Sequence, residues 1–332
     1  MIAEWTDPED ELLARSVFGT NDLGIVLGMV LDWLARHGVH RALVSAIEFS
    51  VGAAVTVALP DGTRVFLKVW PGTANSRSLA AQVSVQAAMA ARGFPAPAVL
   101  TRVSALGPGW AVAMAYARPG ASTDARLPVV RRAMASGLAR FVTEAEAYRD
   151  LDGLPRREGI AEGVTWPEPH SALFDFEATA RGAEWIDEVA RDALQAMRSA
   201  GSRVVVGHHD WSAKNMRMGP AGIAVLYDWD SVALDREAFV VGSAAANFPI
   251  TGGPNGPETP TVSEVAAFVR EYEQARGAPF TAEGLAEVAA GATYARAYKA
   301  RCEHALDTGG TRWPGSSRES LRASGPFRFD RA

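Results

Sequence analysis

The hydrophobic pattern of this chain changes at the segment Arg118-Pro119-Gly120. Before it, residues 42–115 contain short alternating runs separated by tight turns, which is typical of β-strands. After it, apolar residues recur at helical spacing over residues 127–149, 183–200, 261–276 and 282–306. The 332 residues are enough for about two domains. We therefore predict an α+β protein with a small antiparallel β-sheet lobe, residues 1–116, and a larger, mainly helical lobe, residues 117–332.

Turn residues locate the elements of each half. Pro-Asp-Gly-Thr at residues 60–63 predicts a hairpin whose second strand is Arg64–Trp70. A helix is predicted over residues 76–92, because Gly93 and the prolines that follow would end it. Residues 8–38 also have a helical pattern. In the second half, the turn at residues 219–222 predicts a hairpin with strands at 215–218 and 223–228, and the tail from Asp307 has weak periodicity.

Composition excludes several classes of protein. The net charge is −5, so nucleic acid is not expected as a partner. Cys302 is the only cysteine, which excludes a disulfide framework and a cysteine-rich metal site. The apolar run at residues 23–34 contains Asp32 and is too short to span a membrane, and the chain does not open with a secretory signal pattern. We therefore expect a cytoplasmic protein with no membrane partner.

One loop and one hairpin carry the residues with the clearest chemistry. The loop reads His208-His209-Asp210-Trp211-Ser212-Ala213-Lys214-Asn215, and Asp228 follows Asn215 by 13 residues. Phosphoryl transfer needs divalent cations held against the phosphates and an acceptor hydroxyl placed in line. Carboxylate and amide oxygens are ligands that Mg²⁺ prefers. Asn215 and Asp228, on the two strands of one hairpin, can converge on a metal, while Asp210 can accept a hydrogen bond from an acceptor hydroxyl.

This loop and the second aspartate resemble those of the aminoglycoside phosphotransferase-like family of small-molecule kinases, and the resemblance covers roughly residues 46–300. It implies a two-lobed protein-kinase-like fold, ATP or GTP as the donor, and Mg²⁺ held by Asn215 and Asp228. It also implies that Asp210 is the catalytic residue. The supporting candidates are His208, expected to hold the loop, together with Ser212, Lys214 and Asp230. Lys214 could reach a phosphate, but a solvated loop lysine is the favoured interpretation. Asp230 could face the metals or form an ion pair with an arginine.

The resemblance further implies a lysine on the third strand that binds the α- and β-phosphates. Lys68 fits this position and is one of three lysines in a chain with 30 arginines; its ammonium acts as a compact point charge. The glutamate that usually pairs with this lysine is missing. The helix at 76–92 contains no acidic residue, and Gln82 takes the glutamate position, with Gln86 one turn later. His209, at a position that is usually small, is a second departure from the family pattern.

Two further segments are weaker nucleotide-binding candidates. Ser50 and Gly52 lie in the loop between the first two strands, where the family covers the phosphates, although an ordinary hairpin turn explains them equally well. Met114, Ala115 and Ala117 resemble the segment that reads the adenine edge through backbone groups. Apolar residues of this kind are also common in a core strand.

The expected activity is transfer of a γ-phosphoryl group to a hydroxyl of a small molecule. Residues 141–332 contain 20 basic and 28 acidic residues, against 13 and 10 in residues 1–140. Acidic residues near the acceptor would favour a cationic substrate, so we expect an amine-bearing antibiotic such as an aminoglycoside. Acidic helix faces that only meet solvent are the alternative explanation of this charge. Two other functions stay open: a metabolic kinase for a sugar, amino alcohol or homoserine-like acceptor, and an inactive nucleotide-binding regulator, which Gln82 and His209 would favour.

Overall fold

The computed structural model describes residues 5, 8–50, 52–157, 164–171, 173–198, 201–251, 259–310 and 312–329. The chain divides into two compact units. The first unit comprises Met1–Ala117 with His170–Leu173, and the second comprises Arg118–Pro169 with Phe174–Ala332.

An antiparallel sheet of five strands is the centre of the first unit. The strand order is β1-β2-β3-β5-β4, and the strands are β1 (Leu43–Phe49), β2 (Ala53–Ala58), β3 (Arg64–Trp70), β4 (Ser104–Leu106) and β5 (Gly109–Ala115). Burial alternates along β2, where Ala53, Val55 and Val57 are buried and the residues between them are half-buried, as expected for a strand that packs on one face. In the register of the sheet, Lys68 lies between Ala54 of β2 and Val112 of β5.

Helices cover both faces of this sheet. One face packs against α1 (Pro8–Phe18) and α2 (Leu23–Arg36), with Val30 and Trp33 against Leu67 and Val69. The other face packs against α3 (Ser76–Ala91), and its apolar cluster contains Trp70, Leu79, Val83, Val112 and Met114. Because side chains alternate along a strand, Lys68 lies on the α3 face, between the two β3 residues that face the other way.

The predicted helical region at residues 8–38 forms two helices, α1 and α2. Gly19 has a φ of +74°, a conformation that favours glycine, and it ends α1. The side chain of Asp22 then accepts a hydrogen bond from the backbone N–H of Ile25 and caps α2. Among the described residues, no single helix is long and apolar enough to cross a membrane; α1 and α2 meet that criterion only as a pair bent by 41°.

The second unit is mainly helical. Its helices are α4 (Pro128–Ala145), α5 (Glu184–Arg198), α6 (Glu237–Asn247), α7 (Val262–Arg276), α8 (Ala282–Leu306) and α9 (Ser317–Ser324). Two small sheets lie among them: β6 (Val204–His208) with β9 (Val232–Arg236), and β7 (Met216–Gly219) with β8 (Gly222–Leu226). Both pairs are antiparallel. The predicted hairpin is therefore present, with Asn215 one residue before its first strand and Asp228 two residues beyond its second.

The tail from Asp307, for which no element was predicted, forms α9. This helix is polar, and its buried contacts come from Ser317 and Leu321. Its first turn is fixed by Glu303 of α8, whose carboxylate accepts hydrogen bonds from the backbone N–H groups of Ser317 and Arg318 at 3.1 and 2.8 Å. A carboxylate at a helix N-terminus satisfies donors that the helix leaves unpaired. The helix thus depends on a tertiary contact.

Candidate active site

Three aromatic side chains hold the loop that follows β6. Phe141 of α4 packs edge-to-face against His208 and Trp211, with ring centroids 6.0 and 5.9 Å apart, and lies 5.6 Å from Trp229. The indole Nε1 of Trp211 donates to the carbonyl of Met134 at 3.1 Å, and that of Trp229 donates to the carbonyl of Leu226 at 2.9 Å. The two tryptophans therefore pack the loop, with their polar atoms used inside the protein.

His208 connects the two aspartate-bearing segments. Its Nε2 lies 3.0 Å from the carbonyl oxygen of Tyr227, and its Nδ1 accepts the backbone N–H of Asp210 at 3.3 Å. Only the neutral tautomer with a hydrogen on Nε2 makes both bonds. Burial lowers the pKa of His208, despite the opposing influence of Asp210, so the neutral form is favoured. These two bonds are consistent with the predicted role of His208 in holding the loop, and that role stays a prediction.

The hairpin brings Asn215 and Asp228 to the same end. The backbone N–H of Tyr227 donates to the carbonyl of Asn215 at 2.8 Å, so the residues before β7 and after β8 are paired. The side-chain Nδ2 of Asn215 donates to the carbonyl of Asp210 at 2.9 Å, so Oδ1 is the atom of this amide that could bind a metal. Asp228 adopts the left-handed conformation, with φ 62° and ψ 46°, instead of continuing the strand. Asp and Asn are the non-glycine residues that tolerate this conformation best.

Both carboxylate oxygens of Asp210 have partners on the loop. Oδ2 lies 2.7 Å from the ammonium of Lys214, and Oδ1 accepts a weaker hydrogen bond from the hydroxyl of Ser212 at 3.3 Å. Ser212 is fully buried, whereas the carboxylate of Asp210 keeps 28% of its surface exposed. An ionised carboxylate can accept about four hydrogen bonds, so Asp210 can still accept one from a hydroxyl group.

The donor set around this loop suits Mg²⁺ better than a transition metal. It consists of the amide oxygen of Asn215 and the carboxylate of Asp228, which are hard oxygen ligands. Within the described ranges, no three His, Cys, Asp or Glu side chains form a metal-binding group. Two protein ligands, with phosphate and water oxygens completing the octahedron, are the usual arrangement for Mg²⁺ bound with a nucleotide.

A buried group behind the loop was not predicted from the sequence. The side chain of His209 is 5% exposed, and its Nε2 lies 3.6 Å from Oδ2 of Asp235, beyond hydrogen-bond distance. Burial, with the nearby Arg157, lowers the pKa of His209 well below its usual value. Arg157 bonds through its backbone N–H to the carbonyl of Leu234 on β9 at 2.8 Å. The carboxylates of Asp235, Asp230 and Asp210 interact electrostatically with its guanidinium.

In the first unit, the predicted lysine and glutamine are both buried. Lys68 is 7% exposed and Gln82 4% exposed, and each belongs to an element that borders the α3 face of the sheet. Gln86, one turn later, has a structural partner: its Nε2 donates to the carbonyl of Pro97 at 2.9 Å. This bond fixes the chain after α3. Gln86 is therefore held by a contact within the first unit.

The two weaker candidates lie in the same unit. The N–H of Ser50 donates to the carbonyl of Gly52 at 2.8 Å, and a Cβ on Gly52 would lie 2.2 Å from the carbonyl oxygen of Val69. Gly52 is thus required by a close backbone approach to β3. Met114 is 8% exposed and packs in the α3 cluster. The N–H of Ala115 donates to the carbonyl of Ala98 at 2.8 Å. Ala117 is the last residue of the longer segment of the first unit. None of these contacts tests the predicted nucleotide-binding roles of the five residues.

Comparison with known proteins identifies the family. A model of the phosphotransferase enzyme family matches residues 45–289, a range that contains every candidate site residue described above. A search of curated proteins finds no match to the chain.

Solved structures show the fold. An amicoumacin kinase in complex with AMP-PNP, Ca²⁺ and Ami aligns with a TM-score of 0.64 at 11% identity, over 93% of this chain and 98% of that chain. A putative aminoglycoside phosphotransferase from Ralstonia eutropha aligns with a TM-score of 0.56 at 13% identity, over 90% and 94%. A Plasmodium vivax ethanolamine kinase aligns with a TM-score of 0.51 at 11% identity, over 98% of this chain and 96% of that chain. The predicted kinase-like α+β fold is therefore confirmed. The match over residues 45–289 shows that this chain belongs to the phosphotransferase enzyme family.

Proposed function

We propose that the protein transfers the γ-phosphoryl group of ATP, or GTP, to a hydroxyl of a hydroxylated antibiotic or metabolite. The observation that carries this proposal is the gathering of Asp210, Asn215 and Asp228 by the hairpin and by His208. Asp210 is the general base. Asn215 and Asp228 hold Mg²⁺, which neutralises charge that develops on the phosphates. Lys68 binds the α- and β-phosphates, with Gln82 as its neighbour, and Ser50, Gly52, Met114, Ala115 and Ala117 complete the nucleotide contacts.

In this mechanism the acceptor hydroxyl donates a hydrogen bond to Asp210. Its oxygen forms a bond to the γ-phosphorus while the bond from that phosphorus to the β–γ bridging oxygen breaks. Asp210 takes the hydroxyl proton, and ADP leaves. Positioning and electrostatics supply most of the rate enhancement in such reactions, which agrees with a site built from a fixed loop and one hairpin.

The acceptor itself is proposed from the family and not from the charge count. Most of the acidic residues that suggested a cationic acceptor have partners inside the second unit. Arg131 forms two hydrogen bonds with Glu271, at 3.0 and 2.9 Å, and Arg140 pairs with Glu144 at 2.6 Å. Glu287 accepts the N–H of Ser202 at 3.1 Å. An amine-bearing antibiotic stays our first candidate because amicoumacin, macrolide and spectinomycin phosphotransferases share the fold.

A panel of acceptors tests the proposal. Purified protein is incubated with Mg·ATP and with aminoglycosides, macrolides, spectinomycin, choline, ethanolamine, sugars and homoserine, and ADP release is measured. Mass spectrometry of each positive reaction then checks for one added phosphoryl group, about 80 Da. We expect turnover with at least one hydroxylated acceptor and tighter nucleotide binding with Mg²⁺ than with EDTA. Absence of Mg²⁺-dependent binding of both ATP and GTP would contradict the proposal and leave the regulator alternative without support as well.

A further inference from the structure

The ammonium of Lys214 lies at the reacting end of the proposed base. It is 2.7 Å from Oδ2 of Asp210, while Ser212 occupies Oδ1. Asp210 and Lys214 are four residues apart. The segment that joins them is not an α-helix, whose geometry would bring such positions together. Because the acceptor hydroxyl must also reach Asp210, this cation lies beside the position at which the hydroxyl loses its proton.

Two hydrogen bonds hold the backbone at Lys214, whereas its side chain is partly exposed. The N–H groups of Ala213 and Lys214 donate to the carbonyls of Phe248 and Ile250 at 3.0 and 2.8 Å. These bonds hold the 3₁₀ turn Ala213–Asn215, which places Lys214 next to the metal-binding candidate Asn215. The side chain of Lys214 keeps 42% of its surface exposed. A flexible four-carbon stem on an anchored backbone can carry its charge from one oxygen to another.

A lysine at this position is informative because the chain has 30 arginines and only three lysines. Arginine supplies the cation where a carboxylate is held in place, as in Arg131 with Glu271 and Arg203 with Glu237. A guanidinium fork suits a permanent bidentate pair, whereas an ammonium is a compact charge with rotatable donors. The pair with Asp210 is therefore the kind that can open during a reaction.

We propose that Lys214 is a catalytic residue that binds the oxygens of the γ-phosphoryl group during its transfer. This inference rests on the proposed function. A hydroxyl in hydrogen-bond reach of Asp210, at about 3 Å, and a phosphorus about 3–3.5 Å further on place the phosphoryl oxygens within the swing of the lysine stem. As the oxygen–phosphorus bond forms and the bond to ADP breaks, the hydroxyl proton passes to Asp210. The ammonium then turns from the neutralised carboxyl to the charged phosphoryl oxygens.

The test compares nucleotide states that differ only in a mimic of the transferring group. Calorimetry measures the affinity for Mg·ADP alone and for Mg·ADP with aluminium fluoride, which occupies the phosphoryl position. We expect Lys214→Met to leave the affinity for Mg·ADP within about twofold of wild type. The same change should weaken the fluoride complex by roughly 10²-fold, in line with loss of one donor to a developing oxyanion. Lys214→Arg, which retains the charge, should restore part of this loss.

Lys299→Met is the matched control, because it removes a lysine of α8 outside the loop, and both affinities should match wild type. Equal weakening of Mg·ADP and of the fluoride complex in Lys214→Met would overturn the inference, since Lys214 would then bind nucleotide in general. Unchanged affinity in both states, with wild-type thermal stability, would overturn it too and reduce Lys214 to a partner of Asp210. If wild-type protein binds no Mg·ADP, the proposed function fails and this inference with it.

Discussion

The imidazole Nε2 of His208 donates to the carbonyl oxygen of Tyr227 at 3.0 Å, directly before Asp228. Through its other nitrogen the same ring accepts the N–H of Asp210. One neutral side chain thus contacts the backbone at Asp210, the proposed base, and next to Asp228, the proposed metal ligand. Phe141 packs against the edge of this ring, so that a helix of the second unit supports the arrangement.

Replacement of His208 tests this linkage. His208→Ala leaves the half-buried carbonyl of Tyr227 and N–H of Asp210 without their partner, at a cost of about 1 kcal/mol for each lost bond. We expect turnover and the apparent affinity for Mg²⁺ to fall roughly 10- to 100-fold, the range for residues that orient metal ligands. Activity is measured as a function of Mg²⁺ concentration, with His40→Ala, at an exposed position of the first unit, as the control. Normal Mg²⁺ affinity in a folded His208→Ala protein would contradict the positioning role.

Asp210→Asn tests the base. The amide keeps the shape of the side chain but cannot take a proton, so turnover should fall roughly 10²- to 10⁴-fold, the usual contribution of a general base. Nucleotide affinity should stay within a few-fold of wild type. A turnover assay measures the first effect, and calorimetry with Mg·ADP measures the nucleotide affinity. Asp150→Asn, at an exposed position, is the matched control, and comparable activity in the two variants would rule out the assignment.

Substitutions of Asp228 distinguish the effect of its charge from the effect of its backbone conformation. Asp228→Asn removes the charged metal ligand but keeps a residue type that tolerates φ 62°, so the fold should be retained while Mg²⁺-dependent nucleotide binding weakens. Asp228→Ala adds backbone strain, of the order of 1 kcal/mol, to the same loss. Asn215→Ala should act in the same direction but more mildly. Thermal unfolding and Mg·ATP binding are compared across the three variants. An unaltered Mg²⁺ dependence in Asp228→Asn would show that the metal lies elsewhere.

The two buried histidines predict how stability depends on pH. Burial lowers the pKa of both His208 and His209, whereas an unfolded histidine titrates near pH 6.5. Between the two values the unfolded chain binds more protons, so stability is fully present above about pH 6.5 and is lost as the pH falls. Each such group contributes a slope of up to about 1.4 kcal/mol per pH unit.

Urea denaturation at pH 8, 6.5 and 5.5 measures this slope. We expect His209→Asn to reduce it, because the variant has one buried imidazole fewer, and His40→Asn to leave it unchanged. A slope that is the same in His209→Asn and wild type would mean that His209 already carries a proton in the folded state. Carboxylates contribute to all three proteins alike, so the difference between variants isolates the histidine.

Local patterns predicted most of the fold and the order of residues in the site. The alternation around Lys68, the glycines at 219 and 222, and the spacing of Asp210, Asn215 and Asp228 are properties of neighbouring residues. What could not be predicted depends on contacts between distant segments. Helix α9 is polar and relies on Glu303, and α6 lacks a strong amphipathic pattern because nearly all of its residues are buried.

The electrostatics of the site were the least predictable part. A count of acidic residues cannot show that Arg131 already pairs with Glu271, since the two lie 140 residues apart. In the same way, the loop sequence gives no sign that His209 is buried near Asp235. The one local clue was Lys214, four residues after Asp210, and its geometry depends on the turn held by Phe248 and Ile250.

The last prediction concerns Lys68 and Gln82, both buried in the first unit. In the proposed nucleotide site the two side chains are neighbours, so Gln82→Glu introduces a carboxylate that Lys68 can neutralise. The variant should then be about as stable as wild type and should bind Mg·ATP at least as well. In a Lys68→Met background the same carboxylate has no counter-charge, and the cost should rise to about 3–5 kcal/mol, the penalty for one unpaired member of a buried ion pair. Gln86→Glu is the control, because its lost donor to Pro97 should destabilise both backgrounds equally. Urea denaturation of the four proteins gives the coupling free energy, and a value near zero would show that Gln82 does not take the place of the family's glutamate.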